Sequence, residues 1–268
     1  MLRDITIGQY FPGNSLIHRL DPRFKIVITL VYILMLFTGS SVICLAVGAL
    51  YTIMAVLLSK ISLKMFVKSI RPLMPFLLLT AVLNVLFISD GEVYFKWHFI
   101  KITSDGVSMS VFMIIRIVLL IMGSSLLTYT TSPITLTDAI ERLLSPLKKI
   151  KLPVHELAMM MSIALRFIPT LIEETDKIMS AQKARGAEID TGSLVVRAKN
   201  MVAILVPLFI SAFRRADELA TAMECRCYSG GNGRTRLRQL KSAGRDYIAI
   251  AVTLIFYAAA LAVGILTK

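Results

Sequence analysis

Between Lys25 and Lys60 the chain has 34 consecutive residues without a charged side chain. As a single helix that run would be about 51 Å long, well beyond the ~30 Å hydrocarbon core of a bilayer. Gly39-Ser40-Ser41 divides it, so the run reads as two membrane helices, roughly 24–38 and 42–59. Three further stretches have the length and composition of spans: Pro72 to Ser89, Val107 to Thr130 with Arg116 as its one charge, and Tyr247 to Thr267. The predicted fold class is therefore all-α, a polytopic membrane protein with about five transmembrane helices. The polar first ten residues, with Arg3 and Asp4, lack the apolar stretch of a signal peptide.

Charge placement predicts the orientation. The N-terminal segment carries Arg3, Arg19, Arg23 and Lys25 against Asp4 and Asp21, and the loop after span two carries Lys60, Lys64, Lys68 and Arg71 with no acid. The loop after span three, with Asp90, Glu92, Lys96, Lys101 and Asp105, is net acidic. Lys and Arg stay on the cytoplasmic side, so the N-terminus and the region after span four are expected inside and the third loop outside. The net charge of +13 then reflects topology. Nothing interleaves aromatic with basic residues as a nucleic-acid surface would, and the single Trp, Trp97, falls in the external loop. Cys44, Cys225 and Cys227 are an odd number and read as reduced thiols.

Residues 131–246 are too charged to cross a membrane and too apolar to be a simple loop, with 18 Lys/Arg and 10 Asp/Glu between Glu141 and Arg245 around runs such as Met201–Phe213. Two long amphipathic helices are predicted, about 155–185 and 199–226. Apolar residues recur every three or four positions in both: Leu157, Met160, Leu165, Ile168 and Ile172 in the first, Val202, Leu205, Phe209 and Phe213 in the second. Gly186 and Gly192 follow the first helix, and the Gly230-Gly231-Asn232-Gly233 cluster follows the second. Pro169 and Pro207 lie mid-body and should kink them. The two helices also form a short repeat, because Asp176, Ala181 and Arg185 match Asp217, Ala222 and Arg226 in steps of five and four residues. A small residue one turn before each arginine leaves the guanidinium open, and arginine suits bidentate capture of a carboxylate. Solvated arginines at helix ends are the plain alternative reading of the spacing. Three regions result: 1–130 with the first four spans, 131–246 as a cytoplasmic domain, and 247–268 as the last membrane helix.

Four segments carry a resemblance. His18-Arg19-Leu20-Asp21-Pro22-Arg23-Phe24-Lys25, Leu165-Arg166-Phe167-Ile168-Pro169, Ala181-Gln182-Lys183-Ala184-Arg185-Gly186 and Ala222-Met223-Glu224-Cys225-Arg226-Cys227-Tyr228 together resemble, in order, the motifs of the transmembrane T components of energy-coupling-factor (ECF) transporters. The resemblance implies a prokaryotic cell-membrane protein whose two coupling helices cross beneath the bilayer. It implies that Ala184-Arg185-Gly186 docks one cytoplasmic ATPase and Cys225-Arg226-Cys227 a second. It further implies that a membrane-embedded S component binds the vitamin or metal ion. ATP and Mg would belong to the ATPases, and this chain would bind no cofactor and perform no catalysis. The kinks at Pro169 and Pro207 would let the pair flex, and Arg116 would pack against another span or touch the S component. The second arginine departs from the family's usual Ala or Gly neighbours by having cysteines. For the N-terminal motif of His18, Asp21, Pro22 and Arg23, the residues themselves suggest only a cap and first turn for span one.

Two other classes fit less well. A stand-alone secondary transporter would place acids at mid-membrane, where this chain has Arg116 and Asn84 alone. A membrane metalloenzyme would need its ligands together, but His18 and His155 are expected inside and His98 outside. No G-x-x-x-x-G-K-[ST] pattern occurs.

Overall fold

In the computed structural model the described residues are 10–39, 41–88, 92–97, 100–146, 153–187, 193–230, 240 and 242–266; His98, Gly192 and Gly231-Asn232-Gly233 lie outside them. The architecture is helical: α1 Pro22–Thr38, α2 Val42–Ser59, α3 Leu63–Ile70, α4 Met74–Phe87, α5 Ser104–Thr130, α6 Pro133–Leu143, α7 Val154–Ala184, α8 Leu194–Cys225 and α9 Gly244–Leu266. One two-stranded antiparallel hairpin, β1 Val93–Trp97 and β2 Ile100–Thr103, adds to the all-α expectation where a plain external loop was predicted.

Two helices, α3 and α6, were not expected, and α8 departs from its predicted extent. The basic loop after α2 is itself helical, because α3 turns Phe66 into the core at 2% exposure while Lys64 and Lys68 stay at the surface. Pro72 and Pro75 then shape the passage through a short 3-10 turn into α4. Helix α8 begins five residues before its expected start, and α6 was not foreseen.

By length and composition, five stretches can cross a membrane: α2, the α3–α4 segment Leu63–Phe87, α5, α7 and α9. Compared with the expected set, α7 joins and the 17-residue α1 drops out. The apolar window of α7 covers only its first half, and the second half carries Glu173, Glu174, Asp176, Lys177 and Lys183. Helix α1 has no charge after Lys25 and packs on α2, α5 and α9, so it remains the better reading of a span.

The chain divides into two compact units. The first comprises residues 8–136 and 240–268, a bundle of α1, α2, α5 and α9 with α3 and α4 laid against α5. Its core gathers Tyr32, Met35, Leu36, Leu45, Leu119 and Ala260. Polar side chains are satisfied across helices: Tyr32 Oη donates to the Leu119 carbonyl at 2.8 Å and shares a 2.6 Å hydrogen bond with Thr52, and Tyr51 pairs with Thr253 at 2.9 Å. Such pairing is required where no water can solvate a polar group. Gly123 lets α1 approach α5, since a Cβ there would lie 2.2 Å from the Tyr32 ring. Arg116 donates to the Gly39 carbonyl at the α1–α2 turn and sits 4.5 Å above the Phe112 ring, so it packs within the bundle as one of the two expected alternatives.

The second unit is centred on residues 137–239, with α7 and α8 packed on each other. Gln182 Nε2 donates to the Ala203 carbonyl at 3.3 Å, Ser211 donates to Glu174 Oε1, and Arg215 Nη2 donates to Glu174 Oε2 at 2.9 Å. These contacts pair later residues of one helix with earlier residues of the other, so the helices are antiparallel. Pro169 and Pro207 lie inside helices that run unbroken for 31 and 32 residues.

Candidate functional site

The repeat seen in the sequence is also a repeat of backbone geometry. At the end of α7, the Gly186 N–H donates to the Lys183 carbonyl at 3.0 Å and the Ala187 N–H to the Gln182 carbonyl at 3.0 Å. At the end of α8, Cys227 donates to Glu224 at 2.8 Å and Tyr228 to Met223 at 3.1 Å. Both are Schellman caps, which use two otherwise orphaned carbonyls. Arg185 and Arg226 occupy the same cap position, each followed by a residue in the left-handed region: Gly186 at φ +83° and Cys227 at φ +55°.

Ala184, Arg185, Gly186, Cys225, Arg226 and Cys227 are all exposed. Among the described residues neither guanidinium has a hydrogen-bond or ion-pair partner, so both forks of donors are available. Because α7 and α8 are antiparallel, the structure separates the two arginines. Arg185 lies 11 residues beyond Glu174 and Arg226 lies 15 beyond Ser211, on opposite sides of the contact between these two residues. At 1.5 Å per residue the ends are at most about 39 Å apart.

The cysteine frame of the second arginine has a concrete meaning here. Cys225 and Cys227 are free thiols. Cys227 holds the conformation that Gly186 holds without strain, and a side chain there is disfavoured. Cys227→Gly is therefore expected to raise stability by about 0.5–1 kcal/mol, after allowing for glycine's freer unfolded chain. Cys227→Val should lower it. Thermal unfolding in detergent checks both, and equal midpoints for the two variants would remove the argument.

The N-terminal motif forms a second cluster, in the bundle unit. Asp21 caps α1, its Oδ1 accepting the Arg23 N–H at 2.9 Å, and Pro22 opens the first turn. Arg23 pairs with Asp21 Oδ2 at 2.7 Å and reaches the Leu240 carbonyl at 3.4 Å. His18 accepts from Ser15 at Nδ1, 2.6 Å, while its Nε2 faces the Phe11 carbonyl at 3.0 Å, which makes Nε2 the protonated nitrogen. Burial pushes this imidazole below its ordinary pKa, in keeping with the neutral form.

Two further residues complete the junction. Asp246 accepts the Asp21 N–H at 2.9 Å and the Ala243 N–H at 2.7 Å. Lys25 donates to the Thr130 carbonyl at 2.9 Å, Thr131 Oγ1 at 3.2 Å and the His18 carbonyl at 3.3 Å, a cation on the C-terminus of α5. The cluster thus joins the starts of α1 and α9 to the end of α5. In the sequence Lys25 read as a topology charge and as the last residue of the resembling N-terminal segment, and Asp246 was not singled out. Tyr129 was missed as well: it bonds to Ser69 and, at 3.3 Å, to the Met65 carbonyl, and Phe66 packs on its ring.

A polytopic α-helical bundle with an appended pair of long amphipathic helices is the frame of a membrane transport component. The family described as CbiQ, cobalt transport protein, matches residues 13–237. Relatives named energy-coupling factor transporter transmembrane protein EcfT are 55% identical over 257 residues in Clostridium kluyveri, covering 95% of each chain, and 53% identical over 258 residues in Acidaminococcus fermentans, covering 96% of each. The Bacillus subtilis relative of that name is 47% identical over 261 residues, 97% of this chain and 98% of its own. The chain belongs to this family of ECF transporter transmembrane proteins.

Proposed function

We propose that the chain couples ATP hydrolysis by two partner ATPases to micronutrient uptake. One ATPase docks on Arg185, the other on Arg226, and an S component that binds a vitamin or metal ion rests on the apolar faces of α7 and α8. The observation that carries this reading is the pair of arginine caps with one hydrogen-bond pattern at opposite ends of one antiparallel helix pair. A device meant for a single partner would not need two copies facing apart. The exposed apolar surface supports the third partner: Met160, Phe209 and Phe213 are 54%, 60% and 72% exposed. Basic residues in the N-terminal segment and around α3 favour a cytoplasmic N-terminus and a cytoplasmic helix pair in a prokaryotic cell membrane. ATP and Mg sit in the ATPases, and this chain has no catalytic role.

Reconstitution tests the proposal. The chain alone in proteoliposomes is expected to move no substrate, and uptake should require both ATPases, an S component and ATP. Transport by the chain alone would favour a secondary transporter. Flexing at Pro169 and Pro207 transmits ATPase closure in this scheme, so Pro207→Ala should lower transport per ATP several-fold, by about 1 kcal/mol of coupling. An unchanged ratio would count against flexing and leave docking intact.

A further inference from the structure

We propose that the bundle holds one membrane phospholipid at the helix ends where α1 and α9 begin, with an acyl chain between the helices and its phosphate on Arg245. A cavity of about 340 Å³ opens there, walled by Ile28, Met54, Ala55, Leu126, Ala249 and Val252. Its volume is within the range of small-molecule sites, about 300–1,000 Å³. From Arg245 to Val252 it follows α9 for seven residues, roughly 10 Å along the bundle axis. The slot therefore runs in the direction an acyl chain takes in a bilayer. A smaller space bounded by Tyr32, Tyr51, Met122 and Gly123 adjoins it and shares Ala55 and Leu126.

The mouth supplies the charge that selects the occupant. Arg245 lines it from the first turn of α9, exposed, with no hydrogen-bond or ion-pair partner among the described residues. The Lys25 ammonium lies in the same wall with its three donors engaged by neutral oxygens. The nearby Asp246 carboxylate is turned to the backbone N–H groups of Asp21 and Ala243. A cationic rim above an apolar slot suits an amphiphile with an anionic head, and suits neither a neutral isoprenoid nor a polar solute.

Native mass spectrometry of the protein, purified from membranes in mild detergent with the subunits that accompany it, tests the site. One phospholipid per chain is expected. Ala55→Trp fills the slot and should lower occupancy about fivefold or more. Arg245→Gln lies on an exposed first turn and should fold normally. In nanodiscs of mixed phosphatidylglycerol and phosphatidylcholine it should lose a preference of about fivefold for the anionic lipid. Absence of phospholipid from the wild type, a neutral isoprenoid in its place, or an unchanged headgroup preference in Arg245→Gln would overturn the proposal. Should Ala55→Trp fail to fold, the Arg245→Gln comparison decides.

Discussion

Replacing both Arg185 and Arg226 by Glu is expected to abolish co-purification of the ATPases, while either replacement alone removes one attachment and spares the other. Each guanidinium is exposed and unpaired among the described residues, so its binding capacity is not consumed within the chain. Truncating one side of a hydrogen-bonded charge pair at an interface typically costs about 2–5 kcal/mol, and each 1.4 kcal/mol is a tenfold change in affinity. Charge reversal sets two like charges together and should exceed that range. The two sites are far enough apart, up to about 39 Å, for the losses to be nearly additive. A glutamate at a helix C-terminus opposes the helix dipole by only about 0.3–1 kcal/mol, so the fold should survive. Arg185→Gln with Arg226→Gln, neutral at both ends, controls for that term. Normal ATPase recovery with the double Glu variant would remove the docking proposal and leave the family membership untouched.

Asp246→Ala is expected to cause the largest loss of stability of any exchange at the N-terminal junction, about 2–5 kcal/mol. The carboxylate is 1% exposed. One oxygen receives the N–H that precedes α9, as the acid does in a capping box, and the other receives the N–H of Asp21, the cap of α1. Alanine leaves the buried Asp21 N–H without an acceptor and the part-buried Ala243 N–H without its cap. Asp246→Asn keeps one acceptor and should lose roughly half as much. Denaturant or thermal midpoints of the purified protein measure both. If Asp246→Ala matches the wild type, Asp246 does not hold the two helix starts together.

Spans and caps were legible because their causes are local. An uncharged run of membrane length, Asp before Pro at the start of α1, and Gly after Arg at the end of α7 each act within a few residues. The matched Asp-Ala-Arg register also lies in the sequence, and it led to two helix ends that share one backbone motif. The basic segment before α4 was misread as a loop, since its one buried residue, Phe66, becomes a core position only through Val56 and Tyr129 on other helices. Likewise, Cys227 read in the sequence only as a departure from the usual Ala or Gly beside Arg226, and its positive φ came to light only in the cap.

The sequence by itself determined the membrane class, the positions of the long helices and the two arginine ends, because hydrophobicity and helical period are properties of consecutive residues. Only the tertiary structure decided that Arg185 and Arg226 face apart, since that depends on the antiparallel pairing through Glu174, Ser211 and Arg215. It alone joined Asp21 to Asp246 across 225 positions, and Lys25 to Thr130 across 105. A buried donor that its own helix does not satisfy must find its acceptor elsewhere in the fold, and no local pattern records which one.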